Sequence, residues 1–265
     1  MSKTRIAING AAGRMGKRLV ALASVESELA VGAALEKLGH PQLGQDAGVV
    51  AGIGEIGVPL TSHLESVVDV VIDFSMPESA ETIARLCNER KLPLVMATTG
   101  LDHEQKDIVA ETARSVPVVW APNMSLAVNL TMKLAATAAQ TLKEYPAGAD
   151  VEIIERHHRF KEDAPSGTAL RFGEIVAGVM GQTSHVYGRR GLTGKRSQQE
   201  IGYHALREGD NPGEHTIVFG LLGESIEITV RATNRDCYAL GALSAARFVV
   251  QQKPGLYTMY DVLGL

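Results

Sequence analysis

Short apolar runs alternate with amphipathic segments through the first half of the chain. Buried strands are predicted at residues 5–8, 29–35, 67–74, 94–97 and 116–121. Three helices are predicted between them: over 14–23, directly after residues 75–78, and from about Asp102. Ser75-Met76-Pro77-Glu78 has the spacing of a capping box for the second of these helices. Strands that alternate with helices need crossover connections, so the pattern indicates a mostly parallel sheet covered on both faces.

The pattern changes after about residue 124. Beyond it we predict helices at 125–143, 168–180 and 237–251, a loop at 181–197, and strands at 151–156, 200–207, 215–221 and 225–232. Strands that follow one another without helices favour an antiparallel or mixed sheet. The predicted fold class is therefore α/β, with an N-terminal Rossmann-type parallel sheet domain and a second α+β domain that begins near residue 125.

Composition excludes several classes of function. Hydrophobic residues make up 45% of the 265 residues and charged residues 21%, with a net charge of -4, and this ordinary globular balance lacks the clustered positive charge that nucleic acid requires. Two cysteines, Cys87 and Cys237, are too few for a disulfide scaffold and have no metal-ligand spacing around them. No apolar run has the length of a membrane span or a signal peptide. We therefore expect a cytoplasmic protein with no metal, no membrane association and no nucleic-acid partner.

The turn after the first strand has the composition of a phosphate-binding loop. Gly10, Gly13 and Gly16 have the spacing G-x-x-G-x-x-G, which differs from the usual G-x-G-x-x-G but provides the same tight turn, close approach to a pyrophosphate and close helix packing. The helix that starts at Arg14 adds N–H groups and partial positive charge. On the glycines alone, a plain strand–helix turn is an equal alternative.

An acidic residue at the end of the second strand strengthens the cofactor interpretation. Glu36 lies about 20 residues beyond the loop, where this fold places the residue that binds the adenosine ribose. Lys37 follows at once and favours a 2′-phosphate, so the pair predicts that both NADH and NADPH are accepted. Two later turns, 98–100 and 121–124, also follow strands, and they either hold the nicotinamide half or are ordinary loops.

A second group of candidate functional residues lies at 155–168, between a strand and a helix. His157 and Lys161 are candidate proton donors to a substrate that gains negative charge when it accepts a hydride. The helix start at 166–168 offers hydroxyl and N–H groups to a carboxylate. Adjacent strand residues point to opposite faces, so His157 and His158 share a site only if the strand has ended there. The alternative is a charged surface loop.

Lysine is a poor metal ligand, so this histidine–lysine group does not have the pattern of a metal site. A separate basic segment, 188–197, is either a lid over an anionic substrate or, as we favour, a solvated loop.

Two motifs resemble those of the dihydrodipicolinate reductase family. They are G-A-A-G-R-M-G at 10–16 and the highly specific E-R-H-H-R-F-K-E-D-A-P-S-G-T-A at 155–169, and the resemblance extends over essentially the whole chain. It implies NAD(P)H-dependent reduction of a cyclic dicarboxylate imine, 4-hydroxy-tetrahydrodipicolinate, to tetrahydrodipicolinate in lysine and diaminopimelate biosynthesis. It also implies a homotetramer, a dinucleotide-binding domain formed by 1–124 with 235–265, and a substrate-binding and oligomerisation domain at 125–234.

The resemblance further implies a role for individual residues. His157 and Lys161 are the catalytic proton donors, and the substrate is bound by His158, Ser166, Gly167 and Thr168. The cofactor is bound by Gly10, Ala11, Ala12, Gly13, Arg14, Met15, Glu36, Lys37, Ala97, Thr98, Thr99, Ala121, Pro122, Asn123 and Met124. Met76 stands where some relatives have an arginine, which argues against a strong NADPH preference, and Ala97 stands where glycine is common.

Two other functions stay open at this point. One is another two-domain dehydrogenase of amino-acid metabolism, although a semialdehyde dehydrogenase needs a nucleophilic cysteine and both cysteines lie in helix patterns. The other is a non-enzymatic NAD(P) sensor, which would have no need of His157 and Lys161 beside an anion-binding turn.

Overall fold

The computed structural model describes residues 3–265, and this part of the chain divides into two compact units. The first unit runs through residue 126 and resumes at Arg235–Leu265, and the second is Ala127–Asn234. Each unit has its own sheet and its own helices.

The first unit contains, within the described residues, a seven-stranded sheet in which each pair of neighbouring strands is parallel. Its strands in chain order are β1 (Thr4–Asn9), β2 (Leu29–Leu35), β3 (Leu60–Thr61), β4 (Val70–Asp73), β5 (Leu94–Met96), β6 (Pro117–Trp120) and, near the C-terminus, β12 (Gly255–Tyr257). The spatial order is β12-β6-β5-β4-β1-β2-β3. The strands β2 and β3 lie on one side of β1 and the later strands on the other, so the strand order reverses between β4 and β1. Ligands of open parallel sheets bind at the carboxyl ends of the strands beside such a reversal.

Helices cover both faces of this sheet. They are α1 (Arg14–Val25), α2 (Ala47–Ala51), α3 (Pro77–Arg90), α4 (His103–Thr112), α7 (Asp236–Val249) and α8 (Met259–Leu263). Alternate residues of β1 point to opposite faces: Ile6 and Ile8 pack in one core with α1 and α7, whereas Ala7 packs in the other with α3 and α4. The near-continuous apolar strands are those of a sheet buried on both sides.

The second unit contains a mixed sheet, five-stranded over the described residues, with the order β11-β10-β7-β9-β8. Its strands are β7 (Asp150–His157), β8 (Ser184–Tyr187), β9 (Glu200–Arg207), β10 (Glu214–Gly220) and β11 (Ser225–Arg231), and its helices are α5 (Leu126–Leu142) and α6 (Gly167–Met180). Strand β7 is antiparallel to β10 and parallel to β9. Helix α6 packs against β7 and β9, and it covers the face on which β7 buries its alternate residues, among them Ile153 and Glu155.

The predicted fold class is confirmed: a Rossmann-type parallel sheet is followed by a unit with a mixed sheet. The capping box predicted at Ser75 is wrong, because α3 has Met76 at its N-cap with no side-chain cap among the described residues. The Ser75 hydroxyl instead donates to Asp73. The predicted loop at 181–197 contains the strand β8, which is too exposed to produce an apolar alternation.

The basic segment 188–197 is a largely exposed loop, as we favoured, but two of its arginines are ion-paired. Arg189 is ion-paired with Glu152 and Glu200, and Arg196 with Glu152 and Asp150, at N···O distances between 2.6 and 2.9 Å. These pairs fix the segment to β7 and β9, so two of its arginines are occupied within the second unit.

Candidate active site

The glycine loop after β1 depends on close backbone contacts. Gly10 has φ +80°, and a Cβ there would lie 2.7 Å from the carbonyl oxygen of Phe74. A Cβ on Gly16 would lie 2.1 Å from the carbonyl oxygen of Gly10, so α1 can approach the loop only with glycine at this position. Two of the three glycine roles expected from the sequence, the tight turn and the close helix packing, are therefore visible as contacts.

The start of α1 suits an anion. Its N-cap is Gly13, in extended conformation, with no side-chain cap from the described residues, and both Gly13 and Arg14 are exposed. Backbone N–H groups in the first turn of a helix have no intrahelical partner and attract phosphate. Met15 is half-buried and packs against the core of the first unit. This uncapped helix start fits the pyrophosphate of a dinucleotide.

The side chain of Glu36 is hydrogen-bonded to the glycine loop. Its Oε1 accepts a 3.0 Å hydrogen bond from the Ala12 N–H, and its Oε2 accepts from the Lys37 N–H at 3.2 Å. The carboxylate is therefore held at the edge of the glycine loop, while Lys37 is exposed.

A buried carboxyl group joins the ends of three strands. Asp73, at the end of β4, accepts hydrogen bonds from Asn9 Nδ2 at 2.7 Å, Ser75 Oγ at 2.7 Å and Thr98 Oγ1 at 2.6 Å. Burial raises the pKa of this carboxyl, and the hydrogen bonds from Thr98, Ser75 and Asn9 oppose that rise. The network fixes the carboxyl ends of β1, β4 and β5 at the reversal in strand order. Asp73 was not predicted as a site residue, although an acidic residue inside the apolar run 67–74 was a visible signal.

The Asp73 network determines which side chains of the segment 97–99 can contact a cofactor. Ala97 and Thr98 are buried, and the Thr98 hydroxyl also accepts from the Ser75 N–H at 3.1 Å. Thr99 is exposed. A cofactor at this strand end can therefore contact the Thr99 side chain, whereas the Thr98 side chain is occupied inside the protein.

The turn at 121–124 is held by backbone contacts. The Ala121 N–H donates to the Met96 carbonyl at 3.2 Å, and Met124 is buried in the core. A Cβ on Gly241 of α7 would lie 1.7 Å from the Met124 carbonyl oxygen, so this close contact requires glycine. Pro122 is exposed and Asn123 is half-buried, and Asn123 Oδ1 accepts from the Ser125 N–H at 2.9 Å.

In the second unit, His157 is paired with a buried carboxylate. His157 is 8% exposed, and its Nδ1 lies 2.5 Å from Oε2 of Glu155, which is 1% exposed. Arg207 donates to both oxygens of Glu155, at 2.9 and 2.8 Å. Burial opposes ionisation of Glu155, but the hydrogen bonds from His157 and Arg207 outweigh it and hold its pKa at about 2.

The start of α6 lies against the same pair. Ser166 is the N-cap: its hydroxyl accepts from the Ala169 N–H at 3.2 Å, and its own N–H donates to Glu155 Oε1 at 3.1 Å. The hydroxyl also lies 3.1 Å from Nε2 of His215, whose ring is 5.2 Å from that of His157. Burial, and then the charge of His157, lower the pKa of His215 to about 4. His215 is therefore neutral at pH 7.

The other predicted residues of the second unit lie in the segment after β7 and in the first turn of α6. Lys161 donates to Asp163 Oδ1 at 2.7 Å. Strand β7 ends at His157, so His158 lies beyond the strand and the alternation rule does not separate the two histidines. His158 Nδ1 is buried without a hydrogen-bond partner in the part of the chain described. Gly167 is exposed and Thr168 half-buried, in the first turn of α6.

Three further features of residues 3–265 bear on function: metal-ligand groups, membrane-spanning helices and activated cysteines. Residues 3–265 contain no group of three histidine, cysteine, aspartate or glutamate residues that could hold a metal ion. No helix among them is long and apolar enough to cross a membrane. Burial raises the pKa of the Cys87 thiol and of the Cys237 thiol, so neither cysteine is activated as a nucleophile.

Comparisons with known proteins agree with the two motifs. Residues 4–124 match the family described as dihydrodipicolinate reductase, N-terminus, and residues 127–263 match dihydrodipicolinate reductase, C-terminus. The chain is 55% identical to a 4-hydroxy-tetrahydrodipicolinate reductase of Rhodopirellula baltica, over 98% of this chain and 96% of the relative. It is 48% identical to the enzyme of the same name from Hahella chejuensis, over 99% of each chain.

The fold is similar to that of a solved relative. A dipicolinate-bound dihydrodipicolinate reductase from Paenisporosarcina sp. TG-14 superposes with a TM-score of 0.78, at 25% identity and over 98% of both chains. Matches to both halves of the family, at high identity and over nearly the full length, confirm the resemblance predicted from the motifs at 10–16 and 155–169. The chain belongs to the dihydrodipicolinate reductase family.

Proposed function

We propose that this protein reduces 4-hydroxy-tetrahydrodipicolinate to tetrahydrodipicolinate with a nicotinamide cofactor, in lysine and diaminopimelate biosynthesis. The cofactor provides a hydride, the protein a proton, and the 4-hydroxyl group leaves as water. The observation that carries the proposal is the buried Glu155–His157 pair beside the start of α6, where Gly167 is exposed. A proton donor and an anion-binding helix start are what the reduction of a dicarboxylate imine needs from the protein. The names of the relatives support the same reaction.

The first unit holds the cofactor. The backbone of 10–15 binds the pyrophosphate at the start of α1. Glu36 accepts hydrogen bonds from the adenosine ribose, and its bond from the Ala12 N–H is then either lengthened or shared with the ribose. Bound reduced nicotinamide supplies the hydride. Exposed Lys37 lies next to Glu36 and favours a 2′-phosphate. We therefore propose that both NADH and NADPH are accepted.

The nicotinamide half contacts two strand ends. On one side we assign Ala97, Thr98 and Thr99. Thr98 contributes its backbone, because its hydroxyl is bonded to Asp73. On the other side we assign Ala121, Pro122, Asn123 and Met124, with Met124 contributing its backbone because its side chain is buried in the core.

The second unit supplies protons and binds carboxylate. His157 uses Nδ1 for Glu155, so Nε2 is the nitrogen that donates to the substrate. Lys161 neutralises negative charge and shares proton donation once it leaves Asp163. Gly167 and Thr168 offer N–H and hydroxyl groups to a carboxylate, and Ser166 keeps that helix start in place. His158 directly follows β7 and is half-buried, and we assign it a contact with the substrate.

A planar dicarboxylate suits this arrangement. The relative from Paenisporosarcina is described as dipicolinate-bound. Dipicolinate is the aromatic analogue of the proposed substrate and has the same two carboxylates on a six-membered nitrogen ring. We propose that the helix start at 167–168 binds one carboxylate of either compound.

Two rival functions can be weighed against the same residues. A semialdehyde dehydrogenase acting through a thioester needs a thiolate, and burial raises the pKa of both cysteine thiols. A cofactor sensor has no use for a buried histidine–carboxylate pair beside an anion-binding helix start.

The test is cofactor oxidation by the purified protein, with the cyclic imine generated in the assay. We expect oxidation of NADH and of NADPH that requires the imine and that dipicolinate inhibits. Cofactor binding without oxidation would favour a sensor, and oxidation with another carbonyl or imine substrate alone would favour a different dehydrogenase. A homotetramer and a cytoplasmic location stay proposals from the sequence; light scattering tests the first and cell fractionation the second.

A further inference from the structure

We propose that Glu155 is a positioning residue that serves both halves of the substrate site, orienting the proton donor His157 and holding the helix start that binds carboxylate. The inference rests on the proposed function. It adds a residue that does not contact the substrate and acts through two neighbours that do.

Every direction around this carboxylate is occupied by a donor. Oε1 accepts from the Ser166 N–H at 3.1 Å and from Arg207 Nη2 at 2.8 Å, while Oε2 accepts from His157 Nδ1 at 2.5 Å and from Arg207 Nη1 at 2.9 Å. A carboxylate offers about four lone-pair directions, and these contacts use them. With 1% of the residue exposed, no water competes for them.

The charge on Glu155 determines which ring nitrogen of His157 carries a proton. Its pKa of about 2 keeps the carboxylate ionised throughout the neutral range. An ionised carboxylate can only accept hydrogen bonds, so His157 Nδ1 must carry a hydrogen. Nε2 is therefore the nitrogen that donates a proton to the substrate and is reprotonated afterwards.

The same carboxylate fixes the anion-binding turn. The Ser166 N–H bonds to Glu155, and the Ser166 hydroxyl bonds to the Ala169 N–H and to His215. Ser166 is thus fixed from the strand side and from the helix side. The first turn of α6, with the exposed Gly167 and the half-buried Thr168, therefore has a defined direction relative to His157.

Strand β7 also provides a matched control. Glu152 lies three positions earlier, and it too is bonded to a histidine and to arginines: His204 Nε2 at 2.7 Å, with Arg189 and Arg196. Burial opposes its ionisation, but these hydrogen bonds hold the pKa of Glu152 at about 2. It differs from Glu155 in pointing to the other face of the sheet, away from His157 and Ser166.

The experiment compares Glu155→Gln, Glu155→Ala and Glu152→Gln in the full-length protein. Glutamine keeps a carbonyl oxygen for the Ser166 N–H and for Arg207 Nη2. It presents an amide N–H to His157 Nδ1 and to Arg207 Nη1, so Nδ1 no longer has an acceptor. We expect kcat of Glu155→Gln to fall about 10²–10⁴-fold, the range of general acid catalysis. Its Kd for dipicolinate should stay within about fivefold of the parent value, a change of roughly 1 kcal/mol. Glu155→Ala should lose both kcat and dipicolinate affinity, and Glu152→Gln neither.

The thermal unfolding midpoint is measured for all variants, so that an unfolded protein is recognised. If Glu155→Ala does not fold, the comparison of the two glutamine variants decides alone. The inference is overturned if Glu155→Gln keeps kcat within about threefold, far below the acid-catalysis range, or if Glu152→Gln loses kcat to the same extent. It is also overturned if kcat and dipicolinate affinity fall together in Glu155→Gln. Failure of the proposed function is a different result, in which the parent protein itself does not oxidise cofactor with the imine.

Discussion

Thr98 Oγ1 donates a 2.6 Å hydrogen bond to Oδ2 of the buried Asp73. The two residues belong to neighbouring strand ends of the first unit, and Asn9 brings in a third through its bond to Asp73. A carboxyl group buried at the reversal of strand order needs all of these donors, because an unpaired polar group in this position costs the full desolvation penalty. The bond thus stabilises the edge of the sheet at which we place the nicotinamide.

The first prediction separates the two neighbouring threonines. Thr98→Val should destabilise the protein by about 1–3 kcal/mol, since it leaves Asp73 short of a donor, with a loss of cofactor affinity as a secondary effect. Thr99→Val should change stability by less than about 0.5 kcal/mol, because Thr99 is exposed, and should raise the cofactor KM directly. Urea unfolding and cofactor titration of both variants check this. Equal stability losses would show that Thr98 has no special structural role.

The fold could be predicted because its main elements are long and periodic. The strand predicted at 29–35 and that at 200–207 match β2 and β9 residue for residue. The elements that were missed have too few residues to show a period: β3 is Leu60–Thr61 and α2 is Ala47–Ala51. The predicted strand at 67–74 begins only at Val70, because Val67 is exposed and precedes the sheet.

The site was predicted only as far as it is contiguous in sequence. His157, Lys161 and Ser166 lie in one motif, so their composition suggested proton donation and carboxylate binding. Arg207 and His215 reach that motif through strand pairing: Arg207 lies opposite His157 in β9, and His215 lies opposite Glu155 in β10. Such pairing has no local sequence signal, which is why these two residues could not be assigned in advance.

The second prediction concerns cofactor choice. Glu36→Ala should weaken NADH more than NADPH, because only NADH presents the free 2′-hydroxyl that a carboxylate can accept from. The parent should bind the two cofactors within about tenfold of each other, roughly 1.4 kcal/mol. The variant also loses the bond to the Ala12 N–H, which should weaken both cofactors by a smaller, common amount. Fluorescence titration with each cofactor measures this, and equal total losses would contradict a role in binding the ribose diol.

The third prediction tests the carboxylate-binding turn. Thr168→Val removes a hydroxyl in the first turn of α6 and should raise the substrate KM and the Kd for dipicolinate about tenfold, as expected for the loss of a hydrogen bond to a charged group. Cofactor affinity should not change, because the residue lies in the other unit from the glycine loop. Isothermal titration with dipicolinate and with NADH provides both values. A variant that binds dipicolinate like the parent would place the carboxylate elsewhere.

The fourth prediction concerns acid stability. His215 has a folded-state pKa of about 4 because of burial and then the charge of His157, whereas an unfolded histidine has about 6.5. As pH falls from 6.5 through 4, the unfolded chain binds the proton more readily than the folded one, so stability is lost across this window, on the order of 3 kcal/mol. His215→Gln should lose less stability between pH 7 and pH 4.5 in urea titrations. The matched variant His103→Gln, at an exposed ring, should follow the parent, and identical curves for all three proteins would refute the assignment.

The fifth prediction tests the proton donors themselves. His157→Gln and Lys161→Ala should each lower kcat by about 10²–10⁴-fold, the contribution of general acid catalysis, with NADH affinity unchanged. Lys161→Ala should also raise the substrate KM if the ammonium leaves Asp163 to pair with a substrate carboxylate.

Arg159 is the control for these two variants: it is an exposed basic residue between them with no assigned role, and Arg159→Ala should retain the parent kcat. The double variant should lose less than the product of the two single losses, because groups that act on one proton transfer are not additive. Such non-additivity would place both residues on the same step, whereas strictly multiplicative losses would place Lys161 in binding alone. If kcat stays within about threefold of the parent in both single variants, far below the range of acid catalysis, neither residue is the donor, and the segment 155–168 would be a charged loop beside a binding site.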